Sequence, residues 1–272
     1  MSAPALDLDE LRAQVAGRQW YHTLELAPGV VTPGWFDTRP VAARLPLPDS
    51  LAGMRCLDIG TFDGFWAFEM ERRGASEVVA TDLLDPAEWD WPMGSAPEIV
   101  RELAERKRGG EGFRLACEAL GSRVEMVERS VYDLDPEELG EFDFAYLGSL
   151  LLHLRDPVRA LERVRAVVAG RLLVVDVYDP LMSLLFRRRP LATLDGSGRP
   201  WWWQSNIACL VRMVEAAGFR ALEQPRRVRM PRGEGQPPPR PSAAALRTRL
   251  GRRDLANAAF GDPHCAILAA PR

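Results

Sequence analysis

The chain has 272 residues, enough for one large domain or one domain with additions. Apolar side chains make up 47% of it, which supports a full core, and a formal net charge of −3 excludes a global electrostatic pull toward nucleic acid. No apolar run approaches the roughly 20 residues that cross a bilayer, and the N-terminus lacks the basic-then-apolar layout of a signal peptide. The four cysteines form no C-x-x-C, so the expectation is a cytoplasmic protein with reduced thiols and no membrane partner. Lys107 is the only lysine among many arginines, which reads as compositional skew.

Residues 4–17 carry the spacing of a short amphipathic helix, followed by an aromatic arm punctuated by Gly and Pro, "WYHTLELAPGVVTPGWFDTRP". Residues 1–50 together read as a helix and arm lying over a body that occupies 51–272. In the body, "MRCLDI" is a first strand and 64–73 a helix. "SEVVATDL" is a second strand ending in Asp82, and 95–120 a helical stretch broken near Gly109–Gly112. "SRVEMVERSVYDL" and "FDFAYLGSL" give third and fourth strands, and "DPVRALERVRAVV" a helix. "GRLLVVDVYD" is a fifth strand, "ACLVRMVEAAGF" a helix, "RALEQPRRVRM" a strand, and "HCAILAAP" a last one. Residues 231–258 read as a surface loop with one short helix around 242–250. Strands alternating with helices predict an α/β fold with a mostly parallel sheet covered on both faces.

In such a sheet a ligand binds beyond the carboxyl ends of the strands, at the point where strand order reverses. "LDIGTFDGFW" stands there, with Gly60 and Gly64 where a ligand must approach the backbone. Asp82, 18 residues beyond Gly64, ends the next strand, where a carboxylate accepts hydrogen bonds from ribose hydroxyls. The loop lacks the third glycine of a dinucleotide fingerprint, which disfavours NAD and favours a nucleoside without phosphates. S-adenosylmethionine (SAM) is such a ligand.

"CLDIGTFDGFWAFEMERRGASEVVATDLLDP" resembles motifs I and II of the class I SAM-dependent methyltransferases. With the arm, "LGSRVEMVERSVYDL" and "FDFAYLGSLLLHLRDP", it resembles the branch related to the tRNA wobble-uridine carboxymethyltransferase CmoB, over roughly residues 18–222. The resemblance implies a Rossmann-like, seven-stranded sheet plus the N-terminal arm, with SAM as cofactor. It implies that Asp58, Gly60, Thr61, Phe62 and Gly64 shape the pocket for the methionine part, with Phe62 in place of the usual middle glycine. Asp82 then binds the ribose, with Leu83 beside the adenine. Ser130, Val131 and Tyr132 line the adenine end, and Gly148 approaches the transferable methyl.

His153, His22 and Tyr21 are the catalytic candidates. Histidine titrates near neutrality, although in "LLHLRDP" a structural histidine is the plainer reading. The clusters around Trp20, Trp35 and Arg39, and around Tyr178, Trp203 and Asn206, are read as walls of an acceptor pocket that excludes water. Three histidines with no metal spacing predict no metal site. The arginine runs at 187–189, 226–229 and 247–253 read as a solvated face balanced by 38 acids. The leading reading is methyl transfer to a small-molecule acceptor, as in natural-product tailoring. The alternatives are carboxymethyl transfer to tRNA from carboxy-SAM, against which Lys107 stands as remote from the arm, and a SAM-binding protein without catalysis.

Overall fold

The computed structural model describes residues 7–239 and 241–272; the predicted helix start at 4–6 lies outside them. The main sheet is built from β1 (Arg55–Ile59), β2 (Glu77–Asp82), β3 (Glu125–Glu128), β4 (Phe142–Gly148), β5 (Val168–Val177), β6 (Phe219–Ala221), β7 (Arg226–Met230) and β8 (Asp262–Pro271). Its order is β3-β2-β1-β4-β5-β8-β6, with β7 also on β8. The first five strands are parallel neighbours. β8 runs antiparallel to β5 and carries both β6 and β7. The predicted single strand at 220–230 is therefore one sheet position divided in two, interrupted around Glu223–Pro225, where proline cannot donate to a ladder. Strand order reverses between β1 and β4, which places the open crevice at their carboxyl ends.

The helices that flank the sheet are α1 (Leu8–Ala16), α2 (Phe65–Arg72), α3 (Pro97–Lys107), α4 (Glu111–Leu120), α5 (Pro157–Val167), α6 (Ile207–Ala216) and α7 (Arg249–Phe260). α3 and α4 meet at Arg108–Gly110, where three consecutive left-handed residues turn the chain. That is the break read from the glycines. α7 corrects the C-terminal reading: 231–258 is not mainly loop, because helix runs to Phe260. Thr248 caps it by accepting from Gly251 N at 3.0 Å, and Gly261 ends it with φ +81°.

Two cores lie on the two faces of the sheet. β1, β4 and β5 pack against α5 and α6 through Leu57, Leu147, Val164 and Val214. The other face joins α2 and α4 to the arm, with Trp20, Leu24, Leu26 and Val41 in one cluster with Phe65, Phe68 and Phe113. The arm's short parallel strands, Trp20–His22 and Gly34–Phe36, thus belong to the body's core. The chain after β7 clasps them. Asp37 N donates to Pro231 O, Gly233 N to Trp35 O, and Gly235 N to Gly34 O. A Cβ on Gly34 would stand 2.2 Å from the His22 backbone, so only glycine allows this approach.

Candidate active site

The loop after β1 is drawn tight by buried carboxylates. Asp58 Oδ2 accepts from Thr61 Oγ1 at 2.6 Å and from Ala67 N at 3.0 Å, tying loop to helix. Burial pushes the Asp58 carboxyl up to about 7. Gly60, Phe62 and Gly64 all hold positive φ, at 74°, 53° and 91°. Phe62 does so at some steric cost, because only glycine adopts that region freely. Its amide donates to Asp82 Oδ2 at 2.8 Å. Its ring stacks on Tyr21 at 4.5 Å. The Phe62 side chain thus seats the arm.

Asp63, which the sequence reading passed over, makes the second clasp. Its Oδ2 accepts from Tyr21 N at 2.6 Å and from His22 N at 3.0 Å. Burial raises its carboxyl to about 6 against the pull of those two amides. Lys107 was missed as well. It is not remote: α3 brings its Nζ within 2.6 Å of Asp82 Oδ2, with the lysine side chain 1% exposed. Its being the one lysine among arginines was the only available signal.

These elements enclose a cavity at the carboxyl ends of β1, β2 and β4. One end is formed by Asp82, Leu83, Ser130, Val131 and Tyr132, closed by Trp89 and Trp91. Ser130 caps the turn by accepting from Tyr132 N at 3.2 Å, and Tyr132 donates its hydroxyl to Asp90 Oδ2 at 2.9 Å. The other end is formed by Tyr21, His22, Phe36 and Thr38 of the arm, with Trp66, Tyr146 and Met230. Gly60, Phe62, Gly148 and Ser149 lie between them on the wall. Asp58, Thr61 and Gly64 do not line it; they hold the loop from behind.

All three catalytic candidates line this cavity. His153 faces Pro200 O at 2.5 Å through Nδ1, which assigns the proton to Nδ1 and leaves Nε2 an acceptor. Burial lowers its pKa. Burial also brings His22 down to about 3, so its imidazole is neutral, and its Nδ1 has no hydrogen-bond partner. Tyr21 is held as a neutral phenol by burial and by the nearby carboxyls of Asp262, Asp176 and Asp63.

The six acceptor-wall residues are corrected, for none lines the cavity. Trp20 is fully buried in the core, donating Nε1 to Val15 O at 3.0 Å. Trp35 carries the Arg106 guanidinium 4.0 Å above its ring. Arg39 is spent on a bidentate pair with Asp37, both bonds 2.8 Å. Tyr178 is packed into the α5–α6 core. Trp203 donates to Arg155 O at 3.1 Å. Asn206 caps α6 and clamps the preceding chain, donating to Phe186 O and Arg189 O. The aromatic walls exist, but Phe36, Trp66, Trp89, Trp91 and Tyr146 supply them.

Residues 37–258 match the family described as "Methyltransferase domain". The chain belongs to that family. No curated protein matches it. Its fold is similar to that of the N-terminal domain of EvdMO1, solved in the presence of SAH and D-fucose, with a TM-score of 0.60 and 17% identity over 100% of both chains. The same domain with SAH bound superposes at 0.53 with 17% identity, covering 100% of this chain and 99% of the other. The [4+2]-cyclase SpnF superposes at 0.50 with 18% identity, over 97% of this chain and 92% of its own. The likeness is one of fold, and a fold shared with a cyclase leaves the chemistry to the site. Among the described residues no cluster fit to hold a metal occurs, and no helix is long and apolar enough to cross a membrane.

Proposed function

We propose that this protein transfers a methyl group from S-adenosylmethionine to a small-molecule acceptor. The observation that carries the reading is the triangle of Phe62 N, Asp82 and the left-handed β1 loop. It sets a carboxylate on the wall of a mostly apolar cavity at the reversal of strand order. The residues present fit SAM. Asp82 would accept the ribose hydroxyls, Leu83 and Val131 would flank the base, and Gly60 and Gly148 would admit the methionine part. In the first turn of α2, Ala67 N is already held by Asp58, which leaves fewer amides for a pyrophosphate at that helix end. When bound, SAM supplies an electrophilic methyl, and the chain's own work is to align the acceptor and exclude water. Tyr21, His22 and Phe62 close the arm side of the cavity, and His153 offers an acceptor nitrogen from the other.

Carboxymethyl transfer to tRNA remains the second reading of the motif resemblance. The remoteness of Lys107 no longer counts against it. What weighs against it is that Lys107 is already engaged by Asp82 at the end assigned to the ribose. The test is calorimetry of SAM binding to the wild type, Asp82→Asn and Asp82→Ala, followed by detection of S-adenosylhomocysteine with candidate acceptors. Hydrogen bonds to a charged group are each worth about 1.5–3 kcal/mol, so Asp82→Ala should weaken binding at least tenfold. Absence of SAM binding to the wild type would overturn the reading, and binding without turnover would favour a non-catalytic role.

A further inference from the structure

Ser149 follows Gly148 at the end of β4 and holds φ at +50°, a left-handed conformation that serine rarely adopts. Its amide donates to Val175 O at 2.8 Å, which pins it between β4 and β5. Ser149 lines the cavity, and its hydroxyl stands 2.9 Å from Nε2 of His264, a residue 1% exposed on β8. His264 Nδ1 faces Asp262 O at 3.0 Å. A carbonyl accepts only, so Nδ1 carries the proton and Nε2 presents its lone pair to Ser149. The serine hydroxyl therefore donates into the protein, and its oxygen lone pairs are left for the cavity. A buried histidine oriented from behind, with a hydroxyl in front, is the arrangement by which a serine can take up a proton. The strain at Ser149 is located where such a function would maintain it.

We propose that Ser149, backed by His264, removes the proton from a hydroxyl of a neutral alcohol acceptor, so that this enzyme methylates oxygen. The proposal rests on the methyltransferase reading above. As the acceptor oxygen bonds to the methyl carbon, the carbon–sulfur bond breaks and its electron pair goes to sulfur. The acceptor's proton passes to Ser149 Oγ while the serine's own proton passes to His264 Nε2. The products are a methyl ether, a neutral thioether and a transient imidazolium, which burial disfavours by holding the His264 pKa down to about 4, so that its proton is passed on to solvent. A neutral amine attacks without losing a proton first, whereas an alcohol needs a base as the bond forms. A neutral acceptor also fits the surroundings. His22 and Thr38 line the same cavity, and their Nδ1 and Oγ1 are buried without hydrogen-bond partners. Arg129, the arginine on the cavity wall, is paired to Glu138, and Arg39 and Arg106 on the arm side are paired to Asp37 and Glu102.

The test uses full-length protein, trideuteromethyl-SAM, and glycerol, D-fucose and benzyl alcohol at high concentration, with benzylamine as the contrasting nucleophile. Products are identified by mass spectrometry. The expected result is label on oxygen, with kcat reduced about 100-fold in Ser149→Ala and in His264→Gln. The double variant should be no slower than either single one, because the two act as one unit. SAM affinity measured by calorimetry should stay unchanged, which also shows that the variants fold. A second readout needs no turnover: nitrogen NMR of labelled histidine should show His264 protonated at Nδ1, with the Nε2 resonance moved by Ser149→Ala and by added glycerol. Transfer to benzylamine alone, no transfer to any alcohol by protein that binds SAM, an undiminished Ser149→Ala, or a proton on Nε2 would each overturn the proposal and leave the methyltransferase reading standing. Failure of the wild type to bind SAM would overturn both.

Discussion

Lys107 Nζ stands 2.6 Å from Asp82 Oδ2, and the same oxygen accepts from Phe62 N at 2.8 Å. One carboxylate thereby joins β2, the β1 loop and the last turn of α3. The lysine also lies 4.9 Å from the centroid of the Phe62 ring, a distance at which the ring face attracts a cation. Removing one partner of a buried ion pair leaves the other uncompensated and costs about 3–5 kcal/mol. Lys107→Met should therefore lower the thermal midpoint by roughly 5–15 °C. Asp82→Leu combined with Lys107→Met should lose less than the two single variants summed. A thermal double-mutant cycle checks this, and strict additivity would show that the pair is not coupled.

Asp63 gives a pH dependence of defined sign. Its folded pKa is raised to about 6 by burial, above the usual carboxylate range near 4. The native state therefore holds this proton more tightly than the unfolded state does. The associated stability is complete below about pH 4 and is lost as pH rises through about 6. Asparagine keeps an oxygen for the Tyr21 and His22 amides and does not titrate. Asp63→Asn should thus gain in thermal midpoint relative to the wild type between pH 4 and pH 8. Parallel unfolding curves measure the difference, and a gap independent of pH would show that the carboxyl is ionised in both states.

Phe62 poses strain against packing. Phe62→Gly would relieve the left-handed backbone, worth about 1 kcal/mol, and would remove the stack on Tyr21 and the edge contact with Trp89. The loop amide to Asp82 needs no side chain, so SAM affinity should change less than about threefold. The arm loses its seat, so kcat/KM for an acceptor should fall about tenfold or more. Calorimetry and steady-state kinetics on one preparation separate the two effects. A collapse of SAM binding would mean that the ring, not the backbone, shapes the loop.

The alternation of strands and helices was legible because most of the parallel strands carry a short apolar run between helical patterns. Asp82 closes β2, and Asp58 stands one residue before the end of β1. The divided strand at β6 and β7 was not, because the pause around Pro225 looks like sequence within a single strand. The cavity's polar framework was readable from motif spacing, but its walls were not. A tryptophan buried in a core and one facing a ligand have the same local pattern, and only tertiary contact assigns Trp20 to the core and Trp66 to the cavity. The pairing of Ser149 with His264 escaped notice for a related reason. They are 115 residues apart and meet only because β8 inserts antiparallel beside β5.

Asn206 tests that distinction directly. Its side chain accepts from Leu191 N at 3.1 Å and Cys209 N at 2.8 Å, and donates to Phe186 O and Arg189 O at 3.1 and 2.8 Å. Four backbone groups thus depend on one fully buried amide, and each buried group left unsatisfied costs about 1–3 kcal/mol. Asn206→Ala should cost about 3 kcal/mol or more of stability. It should leave acceptor KM within about twofold at temperatures where the variant stays folded, because the residue does not reach the cavity. Denaturant unfolding and kinetics at low temperature measure both quantities. A large rise in KM with unchanged stability would return Asn206 to the acceptor wall, from which its contacts have removed it.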